Sequence, residues 1–388
     1  MESRSKGEKF RKYFKEEVIE MKRREQNNLL TRRAVDPGDS IKYNTLLDFP
    51  RVQLNKGLYG RILEITYGAE NSFGTGHLLG VAGDQVYEHS GAREQDPIEM
   101  AQAAWEAGAS YVILNPADAI LVRQKFSNPM EHRIMIKLDS LSFFDRAAGA
   151  SMHTSWVNAR IESDIRELME AVNPVAVGIT LNLLGRAGNH WQTPILDTVR
   201  FIRRQYPEII TQAWVYNEGE KDVFKEVHKA SYAATYAAIS SLASVAWDAT
   251  HGQLFDVFKI RDLKILWEEA KRAEYWKALG EFDGGHLAGR AEVEREAFKT
   301  AKGDPALVER FLLADLVNYL AEREVLLAVA GGPSAPTDEF LRALIIGNEA
   351  GTGGSMVGRN TIVDEPDRAD RFYALYMANR AFARPKPE

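Results

Sequence analysis

A lysine inside an apolar run has the clearest chemical potential of any residue in this chain. The run LFDVFKI spans residues 254–260, and the two-residue period of a strand predicts that Phe255, Val257 and Lys259 share one face. A charged amine in an apolar interior is costly, whereas burial lowers the pKa of a lysine, and a neutral amine attacks a carbonyl to form an imine. The same spacing also fits a lysine that ends the strand and extends into solvent. Lys259 is therefore a candidate Schiff-base residue with a structural alternative.

Side chains near three other apolar runs could assist a carbonyl reaction. Trp214 and Tyr216 are two residues apart, so both face the same way, the indole to line a pocket and the phenol to move a proton. Asp84 ends the run 77–84 and could position a substrate hydroxyl or accept its proton. Lys137 is either the imine lysine or a cation that keeps that lysine neutral. Core aromatics and a helix cap are the structural alternatives for the Trp–Tyr pair and for Asp84.

Two glycine-rich segments follow the last two apolar runs. One contains Gly331 and Gly332, and the other contains Gly358 and Arg359. Glycine lets backbone N–H groups approach an anion closely, and the loops after strands seven and eight of β/α barrels commonly bind phosphate. Arg359 could add a bidentate contact to the same phosphate. Tight turns alone would need the same glycines, but the pairing with an arginine favours an anion site.

The sequence does not favour a metal centre or a bound cofactor. The chain has no cysteine, which excludes disulfides and thiolate ligands. Its 8 histidines are scattered, and none forms a close His-x-His or His-Glu-x-x-His pattern. We therefore expect chemistry carried by side chains alone, with no metal and no cofactor.

Eight short apolar runs, most of them followed by a helix-like stretch, set the architecture of the chain. Continuous apolar strands separated by helices predict a parallel sheet that is buried on both faces. Eight such units favour a closed (β/α)8 barrel, although an open doubly wound sheet would give the same pattern. The runs cover residues 77–84, 110–116, 133–138, 174–182, 209–216, 254–260, 324–332 and 353–359.

The barrel is expected to carry two additions. Residues 1–45 form a polar extension with one amphipathic helix, and residues 46–388 form the barrel. Residues 263–305 are strongly helical and longer than one βα unit requires, so they predict a helical insertion after strand six. Such an insertion at the catalytic end would serve as a lid or as a contact between subunits, and we expect a homo-oligomer.

Composition narrows the class of partner. A formal net charge of −6 argues against a general nucleic-acid binder. No apolar run approaches the roughly 20 residues that a membrane span needs. The first ten residues, MESRSKGEKF, lack the apolar core of a secretion signal. We therefore expect a cytoplasmic protein that binds a small molecule, with no nucleic-acid or membrane partner.

The motifs, in this order, resemble those of the archaeal-type class I fructose-1,6-bisphosphate aldolases. Residues 74–92 are similar to that family's first strand and the acidic segment after it, and WVY at 214–216 is similar to its Trp-x-Tyr motif. FDVFKI at 255–260 resembles the strand of its Schiff-base lysine, and residues 328–340 and 353–362 resemble its phosphate-binding loops. The similarity runs from about residue 42 to 375.

The resemblance implies a lyase that cleaves a phosphorylated ketose, foremost fructose 1,6-bisphosphate, to dihydroxyacetone phosphate and glyceraldehyde 3-phosphate, as in glycolysis. It makes Lys259 the imine-forming residue, Tyr216 the proton-transferring residue and Asp84 the group that handles the substrate hydroxyl. It also assigns a lining role to Trp214 and phosphate contacts to Gly331, Gly332, Gly358 and Arg359. The alternatives are a transaldolase or another Schiff-base lyase for sugar phosphates, and a non-catalytic sugar-phosphate-binding scaffold.

Overall fold

The computed structural model describes most of the chain from residue 45 onward. The described ranges are 45–67, 75–83, 96–106, 108–138, 162–182, 188–216, 231–261, 263, 265–281, 288–330, 337–358, 383–384 and 386–387. The backbone alone is described at 182, 188–194, 216, 280–281 and 337–341. The helix expected within residues 1–45 lies outside these ranges.

Eight parallel strands close into a barrel, which confirms the predicted (β/α)8 fold. The strands are β1 (Leu78–Ala82), β2 (Tyr111–Leu114), β3 (Ile134–Lys137), β4 (Ala176–Asn182), β5 (Ile210–Tyr216), β6 (Val257–Arg261), β7 (Leu326–Ala330) and β8 (Gly354–Val357). Each strand pairs with its neighbours in chain order, and β8 pairs with β1 to close the barrel. Every strand falls within or overlaps one of the eight apolar runs. The sequence analysis did not predict a hairpin of two short antiparallel strands, Trp247–Asp248 and Gly252–Gln253.

Eleven α-helices in the described part of the chain surround the barrel, and a short 3-10 helix, Leu46–Asp48, precedes them. They are α1 (Pro50–Leu54), α2 (Lys56–Tyr67), α3 (Pro97–Glu106), α4 (Pro116–Lys125), α5 (Glu162–Val172), α6 (Gly188–Gln205), α7 (Tyr232–Val245), α8 (Glu269–Glu281), α9 (Ala288–Thr300), α10 (Pro305–Ala321) and α11 (Thr337–Glu349). Local sequence fixes several helix starts. Asn115 and Asp304 each accept hydrogen bonds from backbone N–H groups of the first turn and are followed by proline. Within the described residues, no helix is long and apolar enough to cross a membrane.

Two apolar layers lie on opposite sides of the strands. The inner layer consists of alternate strand residues, among them Leu78, Tyr111 and Trp214, together with side chains of α1 and α2. The outer layer packs the other face of each strand against the helices. The helices α1 and α2 contact the residues just before the strands, for example when Arg61 donates to the carbonyl of Pro174. They therefore close the amino end of the barrel and leave the carboxyl ends of the strands for a site.

Strand β6 faces the interior with Val257 and Lys259 but not with Phe255. Val257 belongs to the inner layer, whereas Phe255 belongs to the outer layer and packs edge-on against Phe258, with ring centroids 6.2 Å apart. The prediction that Phe255 shares the inward face was therefore wrong. Regular strand structure begins only at Val257, so the two-residue alternation does not extend back to Phe255.

A buried charge network anchors the start of β6. Asp256 is 0% exposed, and its carboxylate contacts Arg203 at 2.6 Å and Arg51 at 2.7 Å. The backbone N–H of Thr211 donates to the same carboxylate at 2.8 Å. Burial opposes ionisation of Asp256, but Arg203, Arg51 and the Thr211 N–H together hold its pKa below the ordinary value. The network ties α1, α6 and β5 to the strand that carries Lys259.

The connection from β6 to β7 contains the helices α8 and α9 before α10, which packs on β7. Arg290 of α9 contacts Asp315 of α10 at 3.1 Å and stacks over the ring of Tyr236 of α7, 4.0 Å from its centroid. Asp315 also accepts a short hydrogen bond from Tyr232 of α7. These contacts pack α9 against the outer helices of the barrel. The expected role of residues 263–305 as a lid or a subunit contact stays a prediction.

Candidate active site

The Lys259 side chain lies inside the barrel, close to the carboxyl end of β6. Its Nζ is 5.4 Å from the ring centroid of Trp214, which is 3% exposed and belongs to the inner layer. Trp214 on β5 and Lys259 on β6 are paired across the two strands. The residue as a whole is partly exposed.

The Lys137 side chain approaches the same indole from β3. It is 7% exposed, and its Nζ is 5.7 Å from the ring centroid of Trp214. Lys137 lies on β3 and Trp214 on β5, so the ring must extend across β4 to reach it. Two amines therefore lie near one indole. A protonated amine is attracted to the face of an aromatic ring at such distances.

Gly178 on β4 makes this reach possible. A Cβ atom at Gly178 would lie 2.3 Å from Cη2 of Trp214 and 2.4 Å from Cε of Met135, distances at which atoms overlap. The glycine is thus needed because the indole lies directly against its backbone. The sequence analysis did not identify Gly178, because this contact joins side chains and backbone of three different strands.

Gly178→Ala is expected to displace the indole and to destabilise the fold by about 1–3 kcal/mol, the usual cost of overpacking. The variant should also slow any reaction of Lys259, because the wall against the amine moves. Urea unfolding and the rate of reductive trapping of a ketone would measure the two effects.

Gly60→Ala is the matched control, since nothing lies within 4 Å of a Cβ atom at that helical position. The control should keep the wild-type trapping rate and should be as stable as the wild-type protein or more stable by up to about 1 kcal/mol, because alanine favours a helix over glycine. A Gly178→Ala protein with wild-type stability and an unchanged trapping rate would show that the indole does not lie against β4.

A pair of polar side chains crosses the barrel nearer to the amino ends of the strands than the lysines are. The hydroxyl of Tyr111 on β2 donates to Oε1 of Gln212 on β5 at 2.9 Å, and both residues are 0% exposed. Burial raises the pKa of Tyr111, so the phenol stays neutral and remains a donor. Nε2 of Gln212 and Nε1 of Trp214 have no hydrogen-bond partner among the described residues.

Tyr216 and Asp84 are known only in part. Tyr216 is the last residue of β5 and pairs with Asn182. Its side chain is not described. On β1 the inner layer contains Leu78 and Ala82. Asp84, two residues beyond Ala82, lies outside the described residues, so its role stays a prediction.

The glycine segments are described only at their edges. Gly358 follows β8 directly and is buried. Gly331 and Gly332 follow Ala330, the last residue of β7, and they lie outside the described ranges, as does Arg359. The phosphate-binding role of these segments therefore stays a prediction.

Arg261 is a further charged residue at the carboxyl end of β6, and the sequence analysis did not consider it. It is the last residue of β6 and follows Val257 and Lys259 in the inward alternation. The signal was present in the sequence, because counting two residues on from Lys259 reaches Arg261. Among the described residues, no group of three His, Cys, Asp or Glu side chains converges as a metal site.

Comparisons with known proteins find solved structures with a similar fold. No model of a protein family and no curated protein matches the sequence. The fold is similar to an archaeal fructose-1,6-bisphosphate aldolase whose catalytic lysine is covalently bound to the carbinolamine intermediate of the substrate. The two are 16% identical with a TM-score of 0.50, over 82% of this chain and 99% of that chain.

Two further solved structures give the same result. A crystal structure of an archaeal fructose 1,6-bisphosphate aldolase is 16% identical with a TM-score of 0.53, over 82% of this chain and 99% of that chain. A structure of reaction intermediates of the Schiff-base-forming fructose-1,6-bisphosphate aldolase is 16% identical with a TM-score of 0.52, over 81% and 98%. At this identity the likeness establishes the fold alone: the chain is a (β/α)8 barrel of the kind found in these aldolases.

Proposed function

We propose that this chain is a class I aldolase that cleaves a phosphorylated ketose through an imine on Lys259. The observation that carries the proposal is the amine of Lys259 inside the barrel, 5.4 Å from the centroid of a buried indole that a second lysine also contacts. An inward amine is costly to maintain and is suited to attack a carbonyl. Fructose 1,6-bisphosphate is the substrate we expect first, since the similar solved structures include aldolases for this sugar.

The reaction begins when the neutral amine of Lys259 attacks the ketone carbon and forms a carbinolamine. Loss of water gives a protonated imine, which withdraws electrons from the neighbouring carbon–carbon bond. Asp84 or Tyr216 removes the proton of the substrate hydroxyl, the bond breaks, and the aldehyde leaves. Tyr216 then protonates the enamine carbon, and water hydrolyses the imine to release dihydroxyacetone phosphate and the free lysine. Every step is reversible, so the same residues also form the bond.

Lys137 and Trp214 support the nucleophile in this proposal. A nearby like charge disfavours the protonated form of an amine, so the Lys137 ammonium favours the neutral state of Lys259 that attacks. The indole keeps water from one side of the amine, and its N–H, which has no partner among the described residues, can donate to a substrate oxygen.

The phosphate is held at the ends of β7 and β8. We assign its contacts to the backbone of Gly331, Gly332 and Gly358 and to the side chain of Arg359. Holding the phosphate fixes the ketone within reach of Lys259, which makes the attack effectively unimolecular.

The test is reduction with borohydride in the presence of dihydroxyacetone phosphate. A Schiff base becomes a stable secondary amine, and peptide mass spectrometry should find the adduct on Lys259. Fructose 1,6-bisphosphate and other ketose phosphates, given in parallel, would identify the ketose that forms the adduct fastest. Binding of these compounds without any reduced adduct would instead indicate a non-catalytic sugar-phosphate-binding scaffold.

A further inference from the structure

The connection after β6 contains a buried carboxyl group at the place where three helices meet. Glu294 of α9 is 2% exposed, and α9 packs against both α8 and α7. Small side chains make up much of the buried apolar cluster between these helices, whose members are Ala233 and Ala234 of α7, Tyr275 and Leu279 of α8, and Ala291 of α9. A helix held by so little apolar surface opens more readily than one in the main core, so polar contacts matter for the docking of α8.

Four polar atoms at this place are buried and have no hydrogen-bond partner among the described residues. They are Oε2 of Glu294, the hydroxyl of Tyr275, Nε1 of Trp276 and Nε of Arg272. The last three belong to α8, and their side chains lie near enough to Glu294 to affect its ionisation. Because buried polar groups are normally paired, this cluster is a sensitive point in the packing of α8 on α9.

The charge state of Glu294 decides how well these atoms can be paired. A neutral carboxyl group can donate through its O–H and accept through its other oxygen, so it suits the hydroxyl of Tyr275 and the N–H of Trp276 together. A carboxylate can only accept, and a buried charge is costly unless a cation pairs with it.

Arg272 is the cation that favours ionisation of Glu294, but its guanidinium is engaged elsewhere. Its Nη1 donates to the carbonyls of Leu266 at 3.2 Å and Trp267 at 3.1 Å, and the group stacks over the ring of Phe298, 3.9 Å from the centroid. Burial therefore outweighs the donors and the charge of α8, and it raises the pKa of Glu294 to about 7.

Other charged side chains on the packed helices are paired away from Glu294. On α9, Arg290 contacts Asp315 of α10 at 3.1 Å, and Arg295 contacts Glu292 at 2.8 Å. The helix α7 has no charged residue between positions 232 and 245, and the hydroxyl of its Tyr232 donates to Asp315. The described surroundings thus offer an ionised Glu294 little compensation.

We propose that Glu294 is a pH-dependent switch, which holds α8 against α9 and α7 while it carries a proton and loosens α8 when it ionises. In the open form the carboxyl group is in water and has its ordinary pKa of 4.5. Because its pKa is higher in the docked form, the stabilisation of that form is complete below the ordinary value. It is lost progressively as the pH rises from there to about 7.

The experiment measures the opening of α8 by hydrogen–deuterium exchange and mass spectrometry at pH 5 and pH 8, with each rate corrected for the intrinsic exchange of the amides. The opening equilibrium of α8 in the wild-type protein should rise roughly 10- to 100-fold between the two pH values. Amides of α10, whose apolar side chains belong to the main core, should change little. Glu294→Gln, which stays neutral, should remove the response. Glu292→Gln is the matched control, because that side chain is 62% exposed on the same helix, and it should respond as the wild-type protein does.

Three results would overturn the inference. The first, an opening of α8 that does not depend on pH in the wild-type protein, needs no variant. The second is a Glu294→Gln protein with the wild-type response, which would assign the response to another group. The third is an equal response in α8 and α10, which would indicate a change in global stability. The measurement uses neither ketone nor borohydride, so its outcome is independent of the proposed function.

Discussion

Lys259→Met is expected to abolish the borohydride-trapped adduct and to lower kcat for ketose cleavage by roughly 10⁴- to 10⁶-fold, the range found when a nucleophile is removed. Methionine has a similar length and no charge, so it should preserve the contact with Trp214 while removing the amine. Because the lysine forms the covalent intermediate, no neighbouring group can replace it without moving its own nitrogen to the ketone. Peptide mass spectrometry and a coupled assay for dihydroxyacetone phosphate would measure both effects.

The controls separate the loss of the nucleophile from the loss of charge or fold. Lys125→Met removes an exposed lysine at the end of α4 and should trap the ketone at the wild-type rate. Lys137→Met should slow trapping but leave the adduct on Lys259, since Lys137 is assigned a supporting role. An adduct that persists in Lys259→Met and maps to Lys137 would mean that Lys137 is the nucleophile and Lys259 the supporting residue. Full activity in Lys259→Met would contradict the Schiff-base mechanism itself.

The strands were predictable because a parallel barrel buries both faces of every strand. Burial on both faces leaves runs such as YVIL at β2 and IMIK at β3, in which nearly every residue is apolar. The glycine that follows each of the last two strands was visible for a similar reason, since strand ends and turns are local features. The (β/α)8 fold could therefore be predicted from the chain alone.

The exact start of β6 was not predictable from the apolar pattern. Phe255 and Val257 are both buried, and only their layers differ. Asp256 between them is held by Arg51 and Arg203, which lie far away in the sequence, and it directly precedes the regular strand. A local alternation rule has no access to such long-range pairing.

The environment of Lys259 was also hidden from the sequence. Lys137, Gly178 and Trp214 belong to three successive strands, and their contact depends on how those strands are staggered around the barrel. Nothing in the sequence near Gly178 indicates that an indole from the next strand lies on it. The residue types suggested that a lysine and an aromatic side chain belong to the site. Only the closed sheet shows that two amines lie near one ring.

Asp256→Ala is expected to lower the free energy of unfolding by about 3–5 kcal/mol, the usual cost of removing one partner from a buried ion pair. The change leaves the guanidinium groups of Arg51 and Arg203 near an uncharged cavity and removes the acceptor of the Thr211 N–H. Denaturant unfolding would measure the loss. Asp197→Ala is the control, because that carboxylate is 62% exposed and contacts only a neighbour on the same helix, Arg200, among the ion pairs of the described residues.

The pH dependence gives a second, independent check on Asp256. Its pKa is lowered in the folded chain, so its stabilising effect is present above the ordinary carboxyl pKa and is lost as the pH falls through the lowered value. The difference in stability between the wild-type protein and Asp256→Asn should therefore be largest near neutral pH and should shrink in acid, where both side chains are uncharged. A difference that is small at neutral pH, or that grows as the pH falls, would mean that the carboxylate does not hold α1 and α6 to the start of β6. In that case the position of Lys259 would depend on the apolar layers alone.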